Sequence, residues 1–116
     1  MKKIYYLKTC DTCKRILKEI PEIESFELQE IKSTPITPSQ LEEMKQLSGS
    51  YEALFNKRAQ LYKARGLKDK DLSEADFKEL LLEHYTFLSR PVIFVNNSIY
   101  IGNSKKNIEN LMINLK

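Results

Sequence analysis

The sequence contains one histidine and only two cysteines, too few soft ligands for a four-coordinate zinc site, so no metal is expected. It has no apolar run approaching the ~20 residues that a membrane-spanning helix needs. The opening stretch Met1-Lys2-Lys3-Ile4-Tyr5-Tyr6-Leu7 starts basic, but it is cut by Lys8 and offers no small-residue cleavage site. It therefore does not read as a signal peptide, and the cytoplasm is the expected compartment. A one-sided charge is also missing. Lysine and arginine total 19 against 16 acids, a net +3, and opposite signs alternate in Lys18-Glu19 and Glu42-Glu43-Met44-Lys45. Such mixing reads as solvated helix faces and gives no ground for nucleic-acid binding. No internal repeat, low-complexity tract or linker interrupts the chain.

What is present fits one domain over 1–116, long enough for a single buried core. Lys3 to Leu7 predicts a short buried strand. A helix follows over about 11–20, with Ile16, Leu17 and Ile20 on one face and Pro21 as its stop. Ile23 to Ile31 predicts a second strand on which Phe26 and Leu28 alternate. Thr37-Pro38-Ser39-Gln40 carries a capping box with proline in the first turn. It opens a helix that turns Leu41, Met44 and Leu47 inward and ends at Gly49. A further helix is expected over Tyr51 to Ala64, closed by Gly66, and another from Ser73 with the stripe Phe77, Leu80 and Leu81. The period then changes. Pro91 to Val95 and Ser98 to Ile101 predict a hairpin turning at Asn96-Asn97, and Ser104 caps a last helix. The order β-α-β, helices, β-β-α is that of an α/β, thioredoxin-like (glutaredoxin-like) fold, a mixed four-stranded sheet with a helical insert over roughly 37–87.

The chemistry concentrates at Cys10-Asp11-Thr12-Cys13, between the first strand and the first helical turn. In a reducing cytoplasm a C-x-x-C at such a junction reads as a redox motif rather than a structural disulfide. A thiol attacks only as thiolate, and unsatisfied amides at a helix N-terminus stabilise that anion. Lys8, Lys14 and Arg15 add positive charge nearby. Cys10, at the entrance, is the expected nucleophile. Cys13, one turn on, is the expected resolving thiol. Two inert buried cysteines are the plainer alternative. Pro91, opening a strand in the second half, is a candidate cis-proline facing the cysteine loop, and the alternative there is an ordinary trans proline at a strand start. Arg90 would then aim its guanidinium at Cys10, where its fork of donors suits an oxyanion or a carboxylate. His84, at a helix end, reads as structural or surface.

Tyr6-Leu7-Lys8-Thr9-Cys10-Asp11-Thr12-Cys13-Lys14, Glu30-Ile31-Lys32-Ser33-Thr34-Pro35, Phe55-Asn56-Lys57-Arg58 and Leu88-Ser89-Arg90-Pro91-Val92-Ile93, with Ile101-Gly102 after them, together resemble the glutaredoxin-linked arsenate reductase family within the ArsC/Spx/YffB superfamily. The resemblance spans essentially the whole chain. It implies a nucleophile at Cys10 that attacks arsenate, an adduct resolved by glutathione with glutaredoxin, or by thioredoxin, and no bound cofactor. It also implies three arginines around the oxyanion. Arg58 and Arg90 match two of them, with Lys14 as a further candidate anion-binding residue. The third falls in Gly102-Asn103-Ser104-Lys105-Lys106, which has lysines instead. Cys13 is a second departure, since those reductases usually carry another residue there. A C-x-x-C is instead like that of Spx regulators, which bind RNA polymerase and sense oxidation through the disulfide. The YffB-like branch implies a glutathione-dependent thiol reductase. The partners that follow are a small oxyanion or thiol substrate and a donor thiol protein, or RNA polymerase under the regulatory alternative, with no direct nucleic acid and no membrane.

Overall fold

A computed structural model describes residues Met1–Lys116. Internal packing divides the chain into two compact units, Met1–Thr34 with Arg90–Lys116, and Pro35–Ser89. The helical insert expected over 37–87 falls in the second. No helix is long and apolar enough to cross a membrane.

The first unit is built on a four-stranded sheet of order β2-β1-β3-β4, with β1 at Lys2–Tyr6, β2 at Glu27–Glu30, β3 at Val92–Val95 and β4 at Ser98–Ile101. Strand β1 pairs parallel with β2, setting Ile4 opposite Leu28. It pairs antiparallel with β3, setting Ile4 opposite Ile93. Only these two strands have neighbours on both sides, and their sequences show it: Ile4, Val92 and Ile93 are fully buried, as central strands covered on both faces require. The hairpin β3–β4 turns where expected, with Asn96 at φ 56°, a conformation asparagine tolerates well. Helix α1, Asp11–Glu19, and the C-terminal helix Lys105–Asn114 cover one face. Ile16, Ile20 and Leu111 close on Ile4, Ile93, Val95 and Phe26 to form that core. The result is the mixed sheet with helices of the thioredoxin-like fold.

The expected second strand is shorter than its alternation suggested. Ile23–Ser25 forms a single 3-10 turn. It is tied back by the Ser25 amide and hydroxyl, which both donate to the Glu22 carbonyl at 2.9 and 2.7 Å. Serine thus competes with the sheet for local backbone groups, and the strand starts only at Glu27. Phe26 is buried before that strand begins, whereas Leu28 within it is 47% exposed on the edge.

The second unit holds α2 at Pro38–Ser48, α3 at Gln60–Ala64 and α4 at Glu74–Glu83, which makes the C-terminal helix α5. Both long helices start with a reciprocal capping box. Thr37 accepts from the Gln40 amide and Ser73 from the Asp76 amide, while each partner's side chain accepts from the cap's own amide. Replacing Thr37 with alanine should cost about 1 kcal/mol, read as a lower midpoint in urea with an unchanged slope. Leu41 and Met44 are buried as expected, but Leu47 is 43% exposed and does not belong to the core.

The helix expected over Tyr51 to Ala64 is broken in the middle. The Asn56 amide donates to the Phe87 carbonyl at 2.7 Å, and the Ser89 amide to Leu54 at 2.8 Å. An isolated antiparallel bridge joins Phe55 to Leu88. These long-range bonds use the groups that a continuing helix would need. The Asn56 side chain also accepts from the Arg58 amide at 3.0 Å and so closes the turn locally. The break places the Phe55 ring at the centre of the unit, stacked on Phe87 at 5.2 Å and edge-on to Phe77 at 5.0 Å and Tyr62 at 5.6 Å. His84 ends α4, and its Nδ1 accepts from the Thr86 amide at 3.0 Å, a capping role.

Candidate active site

Cys10 is the N-cap of α1, with φ −91° and ψ 111°. Its carbonyl accepts the first helical bond from the Lys14 amide at 3.1 Å, and its own amide is tied to the Leu7 carbonyl at 3.1 Å. No side-chain oxygen caps this helix. The Cys10 sulfur stands where a serine or aspartate oxygen would, before the Thr12 and Cys13 amides at the second and third helical positions. Those amides are among the donors that every helix start leaves over.

Four groups from three residues act on that sulfur besides its own partial burial. Burial alone would push the Cys10 thiol up. The Cys13 amide and thiol, the Arg90 guanidinium and the Thr12 amide outweigh it, holding the thiol below its ordinary value of 9.0. Cys13 goes the other way. It is fully buried, and burial pushes its thiol up to about 11, helped by the adjacent Cys10 charge against the opposing Leu7 amide and Arg90. Both cysteines are free thiols. The pair is therefore asymmetric: a partly exposed thiol ready to ionise beside a buried one that keeps its proton.

This asymmetry has a direct consequence for modification. Iodoacetamide at neutral pH should label Cys10 and leave Cys13 untouched. The rate should rise with pH through a midpoint below 9.0, the ordinary thiol value, because the thiol pKa is lowered. Peptide mapping across a pH series reads this; equal labelling of both cysteines would contradict it.

Arg90 lies two residues before the first residue of β3, and the Arg90-Pro91 bond is cis. Pro91 stands at the start of the strand, where a missing amide costs no ladder bond. Its carbonyl accepts from the Gly102 amide at 2.9 Å. Gly102 needs its positive φ of 86°, which suits glycine and few other residues. The first unit thus brings Arg90 to bear on both Cys10 and Cys13, with the cis Pro91 next to it in the chain. Lys14 lies in the first turn of α1 with an exposed side chain. Arg58 belongs to the second unit, exposed in the turn before α3. Lys105 and Lys106 open α5 and are exposed.

One contributor to this region was assigned no role by the sequence reading. Glu30, the last residue of β2, accepts from the Lys8 amide at 3.0 Å. Its other oxygen accepts from the Ser33 amide and hydroxyl, both at 2.8 Å. Burial is the largest single influence and opposes its ionisation, but the amides of Lys8, Ser33 and Lys32 and the Ser33 hydroxyl together outweigh it and keep the carboxyl below its ordinary value. The sequence signal was Glu30 at the head of one of the segments that carry the family resemblance, with a serine three residues on.

The geometry agrees with what the comparisons find. Structures similar over nearly the full length include one from Streptococcus mutans UA159 described as a candidate arsenate reductase, 28% identical, with a TM-score of 0.76 and coverage of 97% of this chain and 98% of that one. Another is the arsenate reductase from Vibrio cholerae, 20% identical, TM-score 0.76, covering 97% and 95%. A third is an ArsC-family-related protein from Bacteroides fragilis, 22% identical, TM-score 0.77, covering 95% and 96%. No curated protein matches the sequence. The pattern of the ArsC family, however, matches residues 5–111, from the first strand to the last helix. This chain belongs to the ArsC family.

Proposed function

We propose that this protein is a thiol-based oxidoreductase that reduces arsenate or a closely related oxyanion through Cys10, using glutathione with glutaredoxin, or thioredoxin, as electron source in the cytoplasm. The observation that carries the reading is the Cys10 sulfur at the N-terminus of α1, held below its usual range by the Cys13 and Thr12 amides, the Cys13 thiol and Arg90 against the cost of burial. Family membership and the arsenate reductase named for the Vibrio cholerae relative support the choice of substrate.

The steps balance as follows. The Cys10 thiolate attacks arsenic(V), forming an S–As bond while one oxygen leaves as water after protonation. A second thiol then attacks the Cys10 sulfur. The S–As electron pair stays with arsenic, which departs as arsenite, and a disulfide forms. Two thiols have supplied the two electrons. A thiol of the donor protein finally attacks the partner sulfur of that disulfide and releases Cys10 as thiolate; where the partner is Cys13, the donor's second thiol then attacks the mixed disulfide and frees Cys13. Arg90 holds the anion through charge-assisted bonds worth roughly 1.5–3 kcal/mol each, and Arg58 and Lys14 are the further anion-binding residues of this reading.

The second thiol is either glutathione or Cys13. A buried thiol raised to about 11 is a poor nucleophile while Cys10 is ionised. Once Cys10 carries an adduct, the repelling charge is gone and Cys13 becomes easier to ionise. The same pairing favours a second reading, a redox-sensing module in which a Cys10–Cys13 disulfide changes affinity for a protein such as RNA polymerase. The test is NADPH consumption with arsenate, supplied with glutathione and glutaredoxin or with thioredoxin and its reductase. Arsenate-dependent multiple turnover is expected. No turnover, with partners recovered differently in the presence and absence of reductant, would move the assignment to the sensor.

A further inference from the structure

We propose that Glu30 is a positioning residue whose carboxylate clamps the loop before Cys10 to the end of β2 and so fixes the sulfur at the N-terminus of α1. This inference rests on the reading of Cys10 as the reactive thiol and adds a residue to it.

The loop has few other restraints. Strand β1 ends at Tyr6 and α1 begins at Asp11, and Lys8 and Thr9 between them are exposed. The Leu7 carbonyl binds the Cys10 amide within the turn itself. The Leu7 amide reaches the Cys13 thiol on α1, and the Lys8 amide ties the loop to the neighbouring strand, through Glu30 Oε2 at 3.0 Å. The other end of the clamp is secured independently. Glu30 Oε1 takes the Ser33 amide and hydroxyl at 2.8 Å each, and the Ile31 amide donates to the Tyr6 carbonyl at 2.9 Å. One carboxylate thus joins the strand that leads into the cysteine turn to the turn that leaves the neighbouring strand. Its acceptors face only donors, so the ionised form fits and an amide does not: a glutamine would set its own N–H groups against an amide or a hydroxyl.

Sulfur placement matters because the benefit of helix-terminal amides falls off within the first turn. A loop freed at Lys8 lets the N-cap residue drift from the Thr12 and Cys13 amides. The charged and titratable groups that act on Cys10 are Cys13 on its own helix and Arg90 before β3; Glu30 is not among them. This separates two roles by sign. If Glu30 acted on Cys10 as a nearby negative charge, removing it would lower the thiol pKa. If it acts by holding the loop, removing it raises the pKa.

The experiment measures the Cys10 pKa of the full chain from the pH dependence of iodoacetamide alkylation, located at Cys10 by peptide mapping. Wild type is compared with Glu30→Ala and Glu30→Gln, with thermal melts alongside. The expected result is a rise of about one pH unit in Glu30→Ala, so roughly tenfold slower alkylation below the pKa. A smaller rise in the same direction is expected in Glu30→Gln. Should Glu30→Ala not fold, Glu30→Gln carries the test, since it keeps the volume and one acceptor. Unshifted or lowered values in folded variants, with a wild-type Cys10 that titrates below 9.0, overturn the clamp and leave the reactive-thiol reading standing. A wild-type Cys10 that titrates at or above 9.0 overturns that reading and the clamp with it.

Discussion

Cys10→Ser should lose arsenate-dependent turnover on the order of a thousandfold or more, while its melting temperature stays within a few degrees of wild type. The first part follows from chemistry: serine has no accessible anion near neutral pH, and removing a nucleophile typically leaves only residual binding effects. The second follows from location. Cys10 is an N-cap with a partly exposed side chain, and serine is a preferred N-cap residue, so the substitution improves the helix start if it changes it at all. Cys13→Ser separates the two cycles. If glutathione resolves the adduct, turnover with glutathione and glutaredoxin survives. If Cys13 resolves it, the variant stalls at the Cys10 adduct and releases no arsenite. A Cys10→Ser protein that still turns over arsenate at the wild-type rate would remove Cys10 from the mechanism altogether.

Arg90→Ala should reduce kcat/KM for arsenate by roughly 10- to 150-fold, the equivalent of one charge-assisted bond of about 1.5–3 kcal/mol. It should also raise the Cys10 pKa, because Arg90 is one of the groups holding that thiol down. The sign is fixed: removing a cation disfavours the thiolate, so the alkylation profile moves to higher pH. Arg90→Lys keeps the charge but not the fork. It should restore most of the thiol pKa and much less of the turnover. A merely structural arginine would behave differently, with turnover and melting temperature falling together in both variants and no separation between charge and geometry.

Much of the fold was legible in the sequence because its signals are local. The strand-to-helix junction at Cys10 follows from a β-branched and aromatic run meeting a helical period. The caps at Thr37, Ser73 and Ser104 each satisfy amides within three residues of themselves. The hairpin at Asn96-Asn97 needs only a positive φ that asparagine accepts. By contrast, the segment from Tyr51 to Ala64 has a helical pattern and is not one helix. Its middle is captured by backbone groups of 87–89, some thirty residues away, and no local pattern records such a partner. Leu47 was misassigned to the core for the same reason, since burial depends on what covers a face and not on the period that creates it.

The sequence by itself determined the chemistry available to this protein: two cysteines at helical spacing, an arginine before a proline, and membership of a family whose pattern runs the length of the chain. Only the tertiary structure decided how that chemistry is divided. It buried Cys13 completely and left Cys10 partly open, so that desolvation acts on one thiol and helix amides on the other. It brought Arg90, eighty residues on in the sequence, to bear on both sulfurs by pairing β3 with β1. It also gave Glu30 a backbone amide twenty-two residues away as a partner. These effects depend on distance and on the exclusion of water, and neither is written in the order of the residues until the chain has folded.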